Sequence, residues 1–185
     1  LKSRFHQEAN YKGIAGVLGE NSKLHDLWLE HFECGIWVGD YVEADRMKYT
    51  DKLIVSNSRI RNNFADGVNF AQGTKNSKVQ NSNIRGNGDD GLATFASKAI
   101  VKIKEKVNGV ERVRYIHTKS KPAENNAFLN NTVELTWRAA GIALHGGSNH
   151  RIEGNLVKDI TSGPGLRVST VFPGYNFGDN QNISI

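Results

Sequence analysis

The chain has 185 residues, of which 38% are hydrophobic and 23% are charged. This length and composition predict one domain with a hydrophobic core and exclude an intrinsically disordered chain. The sequence has no run of 18 or more apolar residues and no signal peptide, so neither a membrane span nor a membrane partner is predicted. It begins with Leu1 and its only methionine is Met47, which predicts a piece of a longer, processed protein.

The numbers of cysteine and asparagine residues limit the possible fold classes. The single cysteine, Cys34, cannot form an internal disulfide or a thiolate metal site, and we expect it to be a small buried hydrophobe. The 20 asparagines and 19 glycines, with only 3 prolines, favour many tight turns over helices. Asparagine tolerates the left-handed backbone conformation, so asparagines at fixed intervals indicate one turn that is repeated.

A short repeat recurs along the chain. Each copy has an apolar residue, a small turn residue two positions later, Asn or Ser three later, and a second apolar residue five later. A glycine followed by an apolar residue comes twelve or thirteen positions after the start of each clear copy, as at Gly67 and Gly141. The basic period is 24 residues. The four clear copies begin at Val55, Val79, Phe128 and Ile152, and a weaker copy begins at Leu24.

This period predicts an all-β fold, a right-handed parallel β-helix of the pectin-lyase-like solenoid type. In such a solenoid each short strand stacks on its counterpart in the next coil. The first apolar residues of the copies would form an inward ladder, and about five coils are expected. A polar ladder at a turn would consist of Ser58, Ser82, Asn131 and Asn155. A β-sandwich or a leucine-rich repeat is the alternative, although the segments lack leucine at fixed spacing.

Residues 98–121 interrupt the period as a basic insertion within a single domain of residues 1–185. Alternating apolar and basic residues flank Asn108 and Gly109, which is a strong β-hairpin signal. The insertion holds eight Lys or Arg and two Glu, whereas the remaining chain has 16 basic and 17 acidic residues. The net charge of +5 therefore comes from the hairpin. Tyr115 is its only aromatic residue, so nucleic acid is not predicted as a partner.

Aspartates precede the anchoring glycine in two adjacent coils. Asp66 and Asp90 are one period apart, so they should stack at about 4.8 Å, with Asp89 one residue away. The equivalent residues elsewhere are not acidic, which argues against a purely structural role in the turn. Stacked carboxylates acquire divergent proton affinities, which suits glycoside hydrolysis. Turn-stabilising aspartates and a Ca²⁺ site remain alternatives. We expect no metal and no cofactor.

Four segments resemble glycoside hydrolase family 87, the mycodextranase and α-1,3-glucanase family. The resemblance implies a secreted, mostly bacterial, inverting endo-hydrolase that cleaves α-1,3-glucosidic bonds in an α-glucan polysaccharide. It also implies a β-helix catalytic domain with flanking domains outside this chain. Together with a similarity to polygalacturonases, it assigns Asp89 as the general acid, and Asp66 and Asp90 as the pair that holds and deprotonates the attacking water. The segments are residues 61–70, 84–93, 141–149 and 163–172.

Outward positions near the aspartates are candidate sugar contacts. Trp137 is the preferred stacking platform, because aromatic faces suit sugar C–H surfaces, although a buried role stays open. His145 could instead belong to a polar ladder. Trp28 and Trp37 are interpreted as core or cap residues. The candidate contacts are Asn69, Gln72, Trp137, Arg138 and His145.

Three other functions stay open on the sequence. A polygalacturonase-like hydrolase would hold uronate groups with basic residues, but the Gly-His-Gly and Arg-Ile-Lys segments associated with that family are missing. A calcium-dependent polysaccharide lyase would use the acids as metal ligands and an arginine as the base. A non-catalytic carbohydrate-binding β-helix would bind glucan without cleaving it.

Overall fold

The computed structural model describes residues 11–39, 48–96, 100–117, 123–170 and 177, and side chains of the hairpin for 105–112. These residues form β-strands and no helix, so the described part contains no helix that could cross a membrane. The strands are β1 (Ile14–Gly16), β2 (Lys23–His25), β3 (Trp28–Glu30), β4 (Ile36–Val38), β5 (Thr50–Asp51), β6 (Ile54–Ser56), β7 (Arg59–Arg61), β8 (Val68–Ala71), β9 (Thr74–Lys75), β10 (Lys78–Gln80), β11 (Asn83–Arg85), β12 (Leu92–Phe95), β13 (Ile100–Val107), β14 (Val110–His117), β15 (Ala127–Leu129), β16 (Thr132–Glu134), β17 (Ile142–His145), β18 (Arg151–Glu153), β19 (Leu156–Lys158) and β20 (Leu166–Val168).

Most of these strands stack into three parallel sheets. Sheet 1 has the order β1-β4-β8-β12-β17-β20, sheet 2 the order β2-β6-β10-β15-β18, and sheet 3 the order β3-β7-β11-β16-β19. The chain passes from sheet 2 to sheet 3 to sheet 1 and then repeats, so it winds as a parallel β-helix. The full coils run from β2-β3-β4 (coil 1) to β18-β19-β20 (coil 5). The predicted fold class is confirmed.

The register of the strands follows the repeat in the sequence. Val55 pairs with Val79, Val79 with Phe128, and Phe128 with Ile152. Leu24 pairs with Val55, so the weaker copy is the preceding coil. The four residues from the clear copies are at most 5% exposed and belong to one hydrophobic core inside the helix. The predicted inward ladder is therefore confirmed.

The turn between sheets 2 and 3 uses the left-handed backbone that the asparagines indicated. The residues with positive φ there are Asp26, Asn57, Asn81, Asn130 and Gly154. In coils 2 to 5 the next residue belongs to the predicted polar ladder of Ser58, Ser82, Asn131 and Asn155. The main-chain N–H of Ser58 donates to Ser82 Oγ at 3.1 Å, that of Ser82 to Asn131 Oδ1 at 3.0 Å, and that of Asn131 to Asn155 Oδ1 at 2.9 Å. These bonds satisfy buried amides at the turn.

The basic insertion contains the predicted antiparallel hairpin. Strands β13 and β14 pair from Ile100 with His117 to Val107 with Val110. Asn108 and Gly109 both have positive φ, at 53° and 81°, as a two-residue hairpin turn requires. Residues 98, 99 and 118–121 of the insertion, including three of its lysines, lie outside the described residues.

The structure confirms the expected burial of Cys34 and contradicts the expected burial of Trp28. Cys34 is fully buried, as expected. Trp28 is 60% exposed, so its interpretation as a core residue is wrong. It lies on the outer face of sheet 3, where the Arg59 guanidinium is 5.1 Å from its ring. The reason is strand alternation, since the neighbouring Leu29 is the residue of β3 that packs against the core.

Candidate active site

Three aspartates meet at the turn that precedes the strands of sheet 1. The main-chain N–H of Gly67 donates to the carbonyl of Asp90 at 3.1 Å, which aligns Asp66 with Asp90. Carboxylate oxygens of Asp66, Asp89 and Asp90 all lie within 4.8 Å of one another. The predicted convergence of the acids is therefore observed. Asp66 and Asp90 are buried, whereas Asp89 is partly exposed.

The glycine after each buried aspartate allows the coils to stack this closely. A Cβ on Gly91 would lie 2.6 Å from the carbonyl oxygen of Gly141, and one on Gly67 would collide with the carbonyl of Gly91. Neither glycine has a positive φ, so the requirement is for space and not for an unusual backbone conformation. The Asp-Gly sequence therefore places two carboxyl groups one above the other.

Asp90 is held by hydrogen bonds on both oxygens. Its Oδ1 accepts the main-chain N–H of Ala140 at 2.9 Å, and its Oδ2 is 2.8 Å from Nε2 of His145. Its own N–H donates to Oδ1 of Asp89 at 3.1 Å. His145 is 3% exposed, and its ring meets that of Phe95 edge to face. The structure thus places His145, a candidate sugar contact, directly against a candidate catalytic acid.

The environment of Asp66 favours its protonated form. Its Oδ2 accepts from Asn69 Nδ2 at 3.4 Å and from the Cys34 thiol at 3.7 Å. Burial raises the pKa of Asp66 well above its ordinary value, and the charges of Asp89 and Asp90 raise it further. Burial also raises the pKa of the Cys34 thiol. The cluster therefore retains a proton at a pH where isolated aspartates are ionised.

Asp89 has a second, weaker perturbation. Burial raises its pKa, the neighbouring Asp90 adds to this, and the positive charge of Arg138 opposes it. Asp89 is thus the most accessible of the three carboxyl groups, and it binds its proton more tightly than an isolated aspartate does.

A cavity of about 270 Å³ opens beside the three aspartates. Three of its lining residues, Trp37, Asn69 and Arg167, belong to one outward register of sheet 1. The cavity is lined by Glu33, Cys34, Trp37, Ala65, Asp66, Asn69, Asp89, Asp90, Phe95, His145 and Arg167.

Trp37 is a cavity residue that the sequence analysis missed. Its neighbours Ile36 and Val38 are fully buried in the core, so alternation along β4 turns Trp37 outward. Its ring lies 5.9 Å from that of Phe95 at an interplanar angle of 64°. The interpretation as core or cap is therefore wrong. The repeat carried the signal, because Trp37 occupies in coil 1 the place that Asn69 occupies in coil 2.

Of the five candidate sugar contacts, two line the cavity and three lie outside its lining. Asn69 lines the cavity, as does His145. Gln72 is 2% exposed and outside the lining, because it follows the end of β8 where the chain turns away. Trp137 and Arg138 also lie outside the lining, on the far side of the Asp89 turn. Trp137 is 40% exposed there, so it is not a buried residue.

The same aspartates are the described group best suited to a cation. Their oxygens lie close enough to share one, and Ca²⁺ prefers carboxylate oxygens. However, both oxygens of Asp90 already have hydrogen-bonding partners within the protein. Burial and the charges of the neighbouring acids raise the pKa of Asp66, which suits this carboxyl group to hold a proton. The arrangement therefore favours proton transfer.

The fold and the site together resemble part of the catalytic domain of a β-helix glycoside hydrolase. Carboxyl groups with unequal proton affinities beside an open cavity are what acid and base catalysis of glycoside cleavage requires. Residues 3–184 match the family model described as alpha-1,3-glucanase catalytic domain D2. The chain belongs to this family of α-1,3-glucanase catalytic domains. A comparison with curated proteins gave no match.

Solved structures agree with this assignment. The chain is 49% identical to the Agl-KA catalytic domain over 99% of this chain and 28% of that one, with a TM-score of 0.80. It is 27% identical to the catalytic unit of a thermostable GH87 α-1,3-glucanase from Streptomyces thermodiastaticus strain HF3-3, over 88% of this chain and 25% of that one, with a TM-score of 0.66. A GH87 α-1,3-glucanase catalytic domain with one aspartate replaced by alanine, in complex with nigerose, is 26% identical over 94% of this chain and 25% of that one, with a TM-score of 0.66. The chain thus spans about a quarter of the length of these relatives.

Proposed function

We propose that this chain carries the acid and base groups of an inverting α-1,3-glucanase. The meeting of three carboxyl groups within 4.8 Å beside the cavity supports the acid and base groups most directly, whereas inversion rests on the family resemblance. Flanking domains of the parent chain would complete the substrate-binding surface, since the chain spans about a quarter of its relatives. A secreted location is part of the proposal, because polymeric α-glucan would be met outside the cell.

Substitutions in related structures support the assignment of the three aspartates. Three GH87 α-1,3-glucanase structures, in complex with nigerose or tetrasaccharides, each have one aspartate replaced by alanine. The three replaced positions are separated by 23 residues and then by one residue. Asp66, Asp89 and Asp90 have the same separations.

Asp89 suits the role of general acid. Its raised pKa keeps a proton available, and its partial exposure lets it reach a glycosidic oxygen in the cavity. In the proposed step, Asp89 gives this proton to the leaving oxygen as the bond between that oxygen and the anomeric carbon breaks. A water molecule attacks the anomeric carbon from the opposite face, which inverts its configuration.

Asp66 would bind this water, and Asp90 would deprotonate it. Asp66 keeps its own proton because of burial, so it can hold the water by a hydrogen bond without deprotonating it. Asp90, fixed by the N–H of Ala140 and by His145, would accept the proton that the water loses. Each turnover therefore moves one proton onto Asp90 and one away from Asp89, and solvent restores both.

The sugar contacts follow from the cavity walls. We place a glucosyl ring against the face of Trp37, since aromatic faces suit the C–H surface of a sugar. Asn69 and Arg167, in the same outward register on sheet 1, would donate hydrogen bonds to sugar hydroxyl groups. Trp37 thereby replaces Trp137 as the stacking platform.

Sugar release by the parent protein tests this function. It should release reducing sugars from insoluble α-1,3-glucan and from mixed α-1,3/1,4-glucan, but not from polygalacturonate, and proton NMR should show the β-anomer first. Asp89→Asn should lower the rate by about 10²-fold or more. Unchanged release in this variant would refute the mechanism, and an initial α-anomer would refute inversion.

A chelator separates hydrolysis from the lyase alternative. Incubation with EDTA should leave glucan hydrolysis unchanged, because no step above uses a metal. Loss of activity in EDTA, together with ultraviolet-absorbing products from polygalacturonate, would instead indicate a calcium-dependent lyase. Glucan binding without any product would indicate a carbohydrate-binding β-helix.

A further inference from the structure

Arg138 bridges the two turns that carry the catalytic aspartates. It comes from coil 4, between β16 and β17. Its Nε donates to the carbonyl oxygen of Gly88 at 2.9 Å, and its Nη2 donates to that of Phe64 at 2.7 Å. Gly88 directly precedes Asp89, and Phe64 comes two residues before Asp66. One guanidinium group therefore contacts the main chain of both turns.

Two aromatic rings hold the guanidinium group in place. Its central carbon lies 4.6 Å from the centroid of the Phe64 ring and 4.9 Å from that of the Trp137 ring. Trp137 itself packs against the Asp89 turn, where a Cβ on Gly88 would lie 2.7 Å from its Cζ2 atom. Cation–π contacts with two rings restrict the orientation of the group and so favour both hydrogen bonds.

We propose that Arg138 is a positioning residue that sets the separation of Asp66 and Asp89, and not a sugar contact. The catalytic meaning of this inference rests on the proposed hydrolase function, whereas its structural part does not. The side chain lies outside the cavity lining, and its donors are directed to main-chain carbonyls. In the proposed mechanism Asp89 protonates the leaving oxygen and Asp66 holds the attacking water, so the separation of these two carboxyl groups affects the rate directly.

Arginine is suited to this bridge in a way that lysine is not. The guanidinium group is planar and carries five N–H donors in a fixed arrangement, so it can donate to two carbonyls while it contacts two rings. Lysine keeps the positive charge but has a single ammonium group at its end. Arg138→Lys therefore removes the bridge and keeps the charge, whereas Arg138→Met removes both.

The charge of Arg138 has its own measurable effect. The groups that act on Asp89 from the packed elements are Asp90 and Asp66 on the acidic side, and Arg138 and His145 on the basic side. Because Arg138 lowers the pKa of Asp89, its removal should raise that pKa. The alkaline limb of the rate profile, which requires protonated Asp89, should then move to higher pH in Arg138→Met and stay in place in Arg138→Lys.

The test compares these variants in the parent protein with Arg151→Met as a control. Arg151 lies exposed on sheet 2, where it pairs with Glu153, so its loss leaves the site intact. We expect kcat on an α-1,3-gluco-oligosaccharide to fall by about 10- to 100-fold in both Arg138 variants, with KM changed by less than about twofold. The control should keep the wild-type kcat, KM and pH profile.

Hydrogen exchange gives a readout that does not need activity. The amides of Gly88 and Asp89 donate to the carbonyl of Ala65, at 3.1 and 3.2 Å, which links the two turns. Their exchange should become faster in Arg138→Lys and remain unchanged in Arg151→Met. Should Arg138→Met fail to fold, Arg138→Lys alone decides the question.

The outcomes separate this inference from the proposed function. A raised KM with unchanged kcat in Arg138→Lys would make Arg138 a sugar contact and overturn the inference. Wild-type kcat, together with wild-type exchange at Gly88 and Asp89, would also overturn it. If the parent protein cleaves no glucan, the proposed function fails, and the exchange measurement still decides whether Arg138 holds the two turns together.

Discussion

Replacement of Asp66 by asparagine should stabilise the protein at neutral pH. In the unfolded chain this carboxyl group titrates near the ordinary value of 3.8, whereas burial and two acidic neighbours raise the pKa in the folded state. The folded protein therefore binds more protons than the unfolded chain as the pH rises above the ordinary value. Stability falls with pH in that window, and the Asp66→Asn variant does not have this loss.

The close approach of the acids gives the size of the effect. Two unit charges at 4.8 Å repel by about 3 kcal/mol at an effective dielectric constant of about 20. Part of this is relieved because Asp66 stays protonated, so we expect a gain of about 1 to 3 kcal/mol in the free energy of unfolding. Urea denaturation at about pH 3, 5 and 7 measures it, and the gain should be near zero at the lowest pH.

Asp51 provides a control of opposite sign. A hydrogen bond from the Asn76 side chain lowers its pKa, and the charge of Lys75 also lowers it. Asp51→Asn should therefore be less stable than the wild type above the ordinary value of 3.8, where the loss is fully present, and the difference should shrink as the pH falls below that value. An Asp66→Asn variant that is less stable than the wild type at neutral pH, or whose gain does not depend on pH, would refute the electrostatic reasoning.

Three further predictions follow from the ladders and the cavity. Burial lowers the pKa of His150 to about 4, so the wild type should lose stability as the pH falls from about 6.5 to 4. His150→Asn should lose less stability in a denaturation series over that range. An equal loss in both proteins would contradict this explanation. Gly91→Ala should destabilise the fold by about 2 to 4 kcal/mol in chemical denaturation, because the new Cβ would lie 2.6 Å from main-chain and side-chain atoms of the next coil. Gly165→Ala, whose nearest contact would be an ordinary 3.6 Å, should stay close to the wild type, and equal effects at both positions would disprove the steric explanation. Trp37→Ala should raise KM for α-1,3-gluco-oligosaccharides by about tenfold, whereas Trp28→Ala on sheet 3 should leave KM unchanged; equal KM values in the two variants would exclude stacking on Trp37.

The sequence by itself determined the fold and the place where the acids meet. In a solenoid, residues one period apart become neighbours in space, so a repeat of 24 residues is sufficient to align Val55 with Val79 and Asp66 with Asp90. The turn asparagines and the Asn108-Gly109 hairpin were also predictable, because each depends on a local backbone preference.

Only the tertiary structure decided what surrounds the acids. The contact of Asp90 with His145 joins residues 55 positions apart, and that of Arg138 with Phe64 joins residues 74 positions apart. The hairpin between these coils and the unequal lengths of the turns change the spacing of such partners, so a fixed period does not predict their contacts. The direction of a side chain in a turn depends on the packing of the neighbouring coils, and for this reason Trp137 packs against the turn that carries Asp89 and lies outside the cavity lining.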